Sequence, residues 1–290
     1  MMYTQTNQNS KRFLDHQNSI KQQKIESFNN RLGHCSINWQ NKLWIIGGVI
    51  DNINYNDIWN SQDGVIWERK TQNAQFDGVH DHACAVFNNH IWLIGGCNTQ
   101  FYNSIWCSSD GYNWKQKNTP PFSKRAHHTL TLFKDQLWLI GGQDEKGIQD
   151  DIWVSDDGSN WKNITQEALF GSRRGHTVTV YNEKMWLIGG YNGFLLNDVW
   201  SSIDGANWKL EVKKPSFHKR RSHSSLVFDN KLWIIGGTKN NYFEYLNDIW
   251  QSADGIHWIN VSKSSDFLER TNHTSVLFNN KIRIIGGQRS

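Results

Sequence analysis

A short apolar phrase ending in Gly-Gly recurs along the chain, and no other feature so narrows what it can fold into. LWIIGG ends at Gly48, IWLIGG at Gly96, LWLIGG at Gly142, MWLIGG at Gly190, LWIIGG at Gly237 and IRIIGG at Gly287. Anchored on Trp44, Trp92, Trp138, Trp186, Trp233 and Arg283, the steps are 48, 46, 48, 47 and 50 residues. Fifteen of the 16 tryptophans fall on three repeat positions: those five, then Trp59, Trp106, Trp153, Trp200 and Trp250, then Trp67, Trp114, Trp161, Trp208 and Trp258. Only Trp39 stands outside, so one supersecondary unit has been copied in tandem.

The unit reads as four short strands. In the third copy, strand a is HTLTLF (128–133), alternating and rich in β-branched residues, and strand b is LWLIGG (137–142), apolar on both faces. Strand c is DDIWVS (150–155). Asp157-Gly158 then makes a tight hairpin, and strand d starts at Trp161. The Asp-Gly pair returns at Asp63-Gly64, Asp110-Gly111, Asp204-Gly205 and Asp254-Gly255. Four antiparallel strands per period, buried on both faces, make a propeller blade. A helical solenoid is excluded, because no segment shows a 3.6-residue period and the 23 glycines sit at fixed offsets.

Composition sets outer limits. The 290 residues are 37% hydrophobic, which is low, but tryptophan supplies large buried area per residue. A net charge of +4 is too small to argue for nucleic acid. Cys35, Cys84, Cys97 and Cys107 fall at unrelated spacings, with no metal motif, so no metal and no cofactor is expected. The N-terminal stretch lacks a signal-peptide apolar region and no run reaches membrane-span length. The expectation is a cytoplasmic protein with reduced thiols and no membrane association.

The paired glycines, the Arg-x-x-His that opens five of the six units and the downstream Trp resemble the kelch repeat over residues 28–290. The SxDGxxW hairpins at Ser61, Ser108, Ser155, Ser202 and Ser252 resemble shortened Asp-boxes, which are structural turns. The resemblance implies a β-propeller and is poor guidance to activity. Kelch-fold proteins include sialic-acid mutarotases, galactose oxidase and the glucosinolate specifier proteins. The specifier iron pattern is met only in part, by Glu244, Asp248 and Ser252, without its final His. GxSxG, HExxH and P-loop motifs are all absent from the sequence, and no catalytic residue is assigned.

Phe28, Phe76, Phe122, Phe170, Phe217 and Phe267 each sit three residues before the Arg position and imply six blades, beginning near residues 31, 79, 125, 173, 220 and 270. The sixth has only strands a and b before Ser290, and an open blade would leave a bare edge. NSIKQQKIESF (18–28) lines up with YNWKQKNTPPF (112–122). The expectation is therefore an all-β, six-bladed kelch-type propeller occupying residues 1–290 as a single domain. Residues 18–30 would supply the closing strand, and 1–17 would be poorly ordered or a degenerate strand.

Arg31, Arg125, Arg173, Arg220 and Arg270 open five units, and Asp57, Asp151, Asp198 and Asp248 open four strands c. Unit 2 has Val79 and Ser104 instead, so the two residues vanish together and read as partners. Strands a and c start on one face about two strand spacings, roughly 10 Å, apart, with Gly-Gly between. A bidentate Arg–carboxylate clamp fits that gap. His34, His82, His128, His176, His223 and His273 also repeat. Blades packed about 10 Å apart keep six such histidines from sharing one metal, so they read as structural.

Function is then expected where units differ. The b–c loops carry Tyr102, Tyr191, Phe194, Tyr242 and Phe243 among others. Lys124, Lys219, Arg174 and Arg221 make one sector basic, opposite Asp51, Asp77, Asp81, Asp266 and Glu269. Arg174 and Arg221 fill a slot that holds Leu32, His80, Ala126 and Thr271 in the other units, and both are expected to be exposed. The reading is a monomeric, non-catalytic module that binds a protein or peptide, an acidic one suiting the charge, through the b–c/d–a face. The alternative is a sugar-acid enzyme resembling sialic-acid mutarotase, with arginines at the channel mouth holding the carboxylate.

Overall fold

The structure, a computed structural model, describes residues 21–22, 31–165, 167–240, 244–262 and 267–289. Each strand a turns into its strand b through two residues with positive φ: Gln40-Asn41, Asn88-Asn89, Lys134-Asp135, Asn182-Glu183, Asp229-Asn230 and Asn279-Asn280. That is the type I′ hairpin, whose twist matches that of the flanking strands.

Among the described residues, five four-stranded blades result. Blade 1 holds Cys35–Trp39, Lys42–Ile50, Ile53–Ser61 and Glu68–Thr71. Blade 2 holds Ala83–Phe87, His90–Ile94, Ile105–Ser108 and Lys115–Gln116. Blade 3 holds Thr129–Phe133, Gln136–Asp144, Gly147–Ser155 and Lys162–Thr165. Blade 4 holds Thr177–Tyr181, Lys184–Tyr191, Leu195–Ser202 and Lys209–Val212. Blade 5 holds Ser224–Phe228, Lys231–Ile235, Ile249–Ser252 and Ile259–Asn260.

The expectation of six full blades is corrected. The last sheet has three strands: Thr274–Phe278, Lys281–Ile285 and the dipeptide Lys21–Gln22. That dipeptide pairs parallel to Lys281–Ile285, where a strand c would run antiparallel. The expected closing strand in the place of strand d is therefore not shown, and the rest of 1–30 lies outside the described residues. Among the described residues no c–d hairpin joins this sheet, and it is that hairpin which fixes direction and register in the other five blades.

Each tryptophan position does a different job. The strand-b indole donates to the carbonyl five residues earlier, as Trp138 does to Phe133 at 3.1 Å. Its ring lies under the Asp-Gly hairpin of the next blade: a β-carbon on Gly158 would come within 2.6 Å of Trp92. Arg283 takes this place in the last sheet, packing by Gly64 of blade 1 and donating to the Asp63 carbonyl at 3.2 Å. The strand-c indole donates to the clamp aspartate, as Trp153 does to Asp151 at 2.7 Å. The strand-d indole meets the opening Phe edge-on, with Phe122 and Trp161 centroids 5.5 Å apart. Such pairs add about 0.5–1.5 kcal/mol beyond their buried area.

Candidate binding site at the channel mouth

Two backbone hoops surround the propeller axis. In the first, the amide of the second Gly donates to the next unit's carbonyl at the Arg position: Gly48 to Val79, Gly96 to Arg125, Gly142 to Arg173, Gly190 to Arg220, Gly237 to Arg270 and Gly287 to Arg31, at 2.8–2.9 Å. The second hoop runs Asp81 to Gly33, His127 to Asp81, Gly175 to His127, Ser222 to Gly175, Asn272 to Ser222 and Gly33 to Asn272. All six residues of this second hoop have φ between 52° and 61°. Gly-Gly is thus required for more than an open path to Arg. A β-carbon on Gly189 would lie 2.9 Å from the Arg220 carbonyl and 3.2 Å from the His223 ring, at φ 59°.

Between the hoops and the core lie the six repeated histidines, lining one axial cavity of about 140 Å³. Each ring packs on the first Gly of the preceding unit, and Nε2 of His223, His273 and His34 meets the hydroxyls of Thr177, Ser224 and Thr274 at 2.9–3.1 Å. Burial, then the neighbouring Arg31 charge, pushes His34 down to about 3. Burial and Arg173 do the same to His176, and burial and Arg270 to His273, each to about 3. These rings are held neutral. The Nδ1 atoms of all six histidines are buried without a hydrogen-bond partner among the described residues, which suits ordered water in the cavity.

The clamp residues meet in four blades. Arg31 reaches Asp57 at 2.5 and 3.1 Å, Arg125 reaches Asp151 at 2.5 and 2.7 Å, Arg173 reaches Asp198 at 3.0 and 3.1 Å, and Arg220 reaches Asp248 at 2.7 Å twice. Each arginine also donates to the first-Gly carbonyl of its own unit. Arg270 keeps the bond to the first Gly, Gly286, at 2.8 Å and donates through Nε to the Leu268 carbonyl at 3.3 Å, but its Nη2 has no partner among the described residues. In blade 2, Val79 and the half-buried Tyr102 pack into the core instead.

One residue before the second hoop, the slot that varies by blade bridges the residue after Gly-Gly: Leu32 to Val49, His80 to Cys97, Ala126 to Gln143, Arg174 to Tyr191, Arg221 to Thr238 and Thr271 to Gln288. These pairs form the mouth of the channel. Arg174 and Arg221 lie over the same ring of Tyr191, at 5.3 and 4.9 Å from its centroid. Both are half-buried, which corrects the expectation of exposure. They sit inside the mouth, where neighbouring blades converge, and not on its outer rim. Arg174 also donates to Gln143 Oε1, whereas the Arg221 guanidinium has no hydrogen-bond partner among the described residues. Burial, then Arg221, lowers the Arg174 pKa.

The remaining expected site residues scatter. Lys124 and Lys219 are exposed, and Phe194 is 79% exposed at the tip of its loop. Tyr102 turns toward its own blade, and its hydroxyl accepts from Asn98 at 2.9 Å. Tyr242 and Phe243 lie outside the described residues.

Next to Arg174 around the mouth is a group that sequence reasoning left unassembled: His80, Asp81, Cys97 and His127. His127 Nδ1 is 3.4 Å from one Asp81 oxygen and His80 Nε2 is 3.6 Å from the other. Burial works against ionising Asp81, but the His127 and His80 rings outweigh it and hold the carboxyl down to about 2. The signal was available: aligning the residue after the variable slot gives Gly33, Asp81, His127, Gly175, Ser222 and Asn272, which is far from uniform.

Fold and mouth define a β-propeller, with a repeated frame and an asymmetric opening at one end of its axis. Two overlapping stretches, residues 61–180 and 129–253, match the family described as the DUF6242 beta propeller domain. Together they span more than half of the chain, which belongs to that family. No curated protein matches the sequence. Among the described residues, no helix is long and apolar enough to cross a membrane.

Proposed function

We propose that the chain is a kelch-type interaction module, acting as a cytoplasmic monomer without nucleic acid or membrane, that takes a carboxylate-bearing segment of a protein partner at its channel mouth. One observation carries this reading: two guanidiniums from adjacent blades both lie over the Tyr191 ring, close enough for the Arg221 charge to act on Arg174, and the donors of Arg221 are left for something else. Two like charges held this close repel, and an anion between them relieves the repulsion. The exposed Lys124 and Lys219 extend the basic sector outward, where they would steer an acidic partner. All four cysteines are free, in keeping with a reducing compartment. The sugar-acid alternative draws on the same two arginines and has no further observation of its own.

The test is calorimetric titration of the full chain with a glutamate-rich peptide at low and at high salt. Arg174→Glu with Arg221→Glu should abolish binding and leave the melting curve nearly unchanged. Binding that survives this reversal at low salt moves the site to another face. Conversion of a free sugar acid by a chain that ignores the peptide favours the enzyme.

A further inference from the structure

Cys97 Sγ lies 3.4 Å from His80 Nε2, which lies 3.6 Å from Asp81 Oδ2, and the three ligand-type atoms all fall within 4.8 Å of one another. Bonds of about 2.0–2.3 Å from N, O and S to a tetrahedral zinc place neighbouring ligands roughly 3.3–3.6 Å apart. The two His80 separations match those edges, and the third, between Cys97 and Asp81, lies within 4.8 Å, a gap that side-chain rotation can close. We propose that His80, Asp81 and Cys97 form a site for a divalent metal of the zinc class at the channel mouth, with a fourth position open to water or to a ligand.

Three further features support the site. His80 Nδ1 meets Asn54 Oδ1 of blade 1 at 2.6 Å. An amide oxygen can only accept, so the proton sits on Nδ1 and the Nε2 lone pair is free for a metal. Fixing the imidazole through its other nitrogen is the usual outer support of a metal-bound histidine. His127, from blade 3, holds the second Asp81 oxygen and so orients the carboxylate. The donors N, O and S suit zinc and related borderline ions and disfavour magnesium or calcium. Three protein ligands with one place left over is the pattern of a site that works on or binds something, not of a closed structural site.

The cluster also falls where the repeat is broken. Blade 2 has Val79 and Ser104 in place of the Arg–Asp clamp, and its strand c is Ile105–Ser108, against Gly147–Ser155 in blade 3. Spacing concealed the set, because 80, 81 and 97 come together only through the bridge between the variable slot and the residue after Gly-Gly. A second group, Cys35, His82 and Cys84, also lies within 4.8 Å. Its Cys35, however, is in the position where Thr177, Ser224 and Thr274 carry the hydroxyl that meets the next histidine, so it belongs to the repeated frame.

The experiment uses the full chain, stripped with chelator under reducing conditions and titrated with Co(II) and then Zn(II). The expected result is one tightly held Co(II) per chain, with a thiolate-to-cobalt charge-transfer band that Zn(II) removes. Cys97→Ser should lose the band and Cys84→Ser should keep it. Asp81→Asn, which tolerates the positive φ of this position, should weaken Co(II) binding at least tenfold. Asn54→Ala should weaken it about 10–100-fold. Circular dichroism checks that each variant is folded, and Asp81→Asn carries the test if Cys97→Ser is not. Absence of stoichiometric binding near neutral pH overturns the proposal. So does a band that survives Cys97→Ser, or one that depends on Cys84, which would assign the metal to the buried group.

Discussion

Two layers of one channel, two residues apart in every repeat, follow opposite rules. The inner layer is His34, His82, His128, His176, His223 and His273, the same side chain six times over. The outer layer is Leu32, His80, Ala126, Arg174, Arg221 and Thr271, which names a different chemistry almost every time. Both are held by the same backbone, since the hoop residues lie between them. Where every blade needs the residue, it serves the ring. Where the backbone alone does the holding, the side chain is free to read a ligand.

Acid is the harshest way to break the contrast. His34, His176 and His273 have folded pKa values of about 3 against an unfolded value near 6.5, so the unfolded chain binds the extra protons. Stability is full above about pH 6.5 and falls as pH drops from there toward 3. At pH 5 the loss is on the order of 2 kcal/mol per histidine relative to pH 7. Three together rival the whole stability of an ordinary domain. Melting temperature should therefore collapse between pH 7 and 5. A flat profile would mean that His34, His176 and His273 do not stay neutral.

The clamp comes next. Asp198→Ala leaves the buried Arg173 uncompensated and should cost about 3–5 kcal/mol in denaturant unfolding, and Arg173→Ala, which leaves the half-buried Asp198 its bond from Trp200, should cost less. Arg173→Val with Asp198→Ser copies the residues of blade 2, Val79 and Ser104, and should cost clearly less than either single change. Additive costs would separate the two residues energetically. Arg283→Ala removes the bond to Asp63 that links the three-stranded sheet to blade 1. About 1 kcal/mol should go with it. The smallest effect belongs to the outer layer: Arg174→Glu with Arg221→Glu should shift stability by less than about 1 kcal/mol while erasing peptide binding. A large loss of stability there would turn the mouth back into frame.

The repeat was legible because it is written in residues that act within one blade or its hairpin. The period, the three tryptophan positions and the Asp-Gly turns each have a local cause; strands a and b of blade 3 start within one residue of the inferred 128 and 137, and strand c starts three residues before the inferred 150, at Gly147. Contacts between blades were not legible. A single repeat does not reveal that the first Gly must clear the next histidine, or that six histidines face one axis. The last sheet resisted for a related reason: its third strand is joined to the other two by no hairpin, so nothing local dictates direction. The mouth was half legible. Arg174 and Arg221 stood out as non-repeated, yet Tyr191 as their common support, and the meeting of Asp81 with residues of blades 2 and 3, needed the ring itself.

The two hoops have a mechanical meaning. Their twelve bonds use only main-chain atoms, and the seam between Asn272 and Gly33 is stitched by the same kind of bond as the other five. Side-chain replacement does not cut them, and a pull at one seam is shared around the whole circumference, as in the iron band of a cask. Failure should therefore start at the rim, where Arg283 stands in for a tryptophan, and reach the axis last.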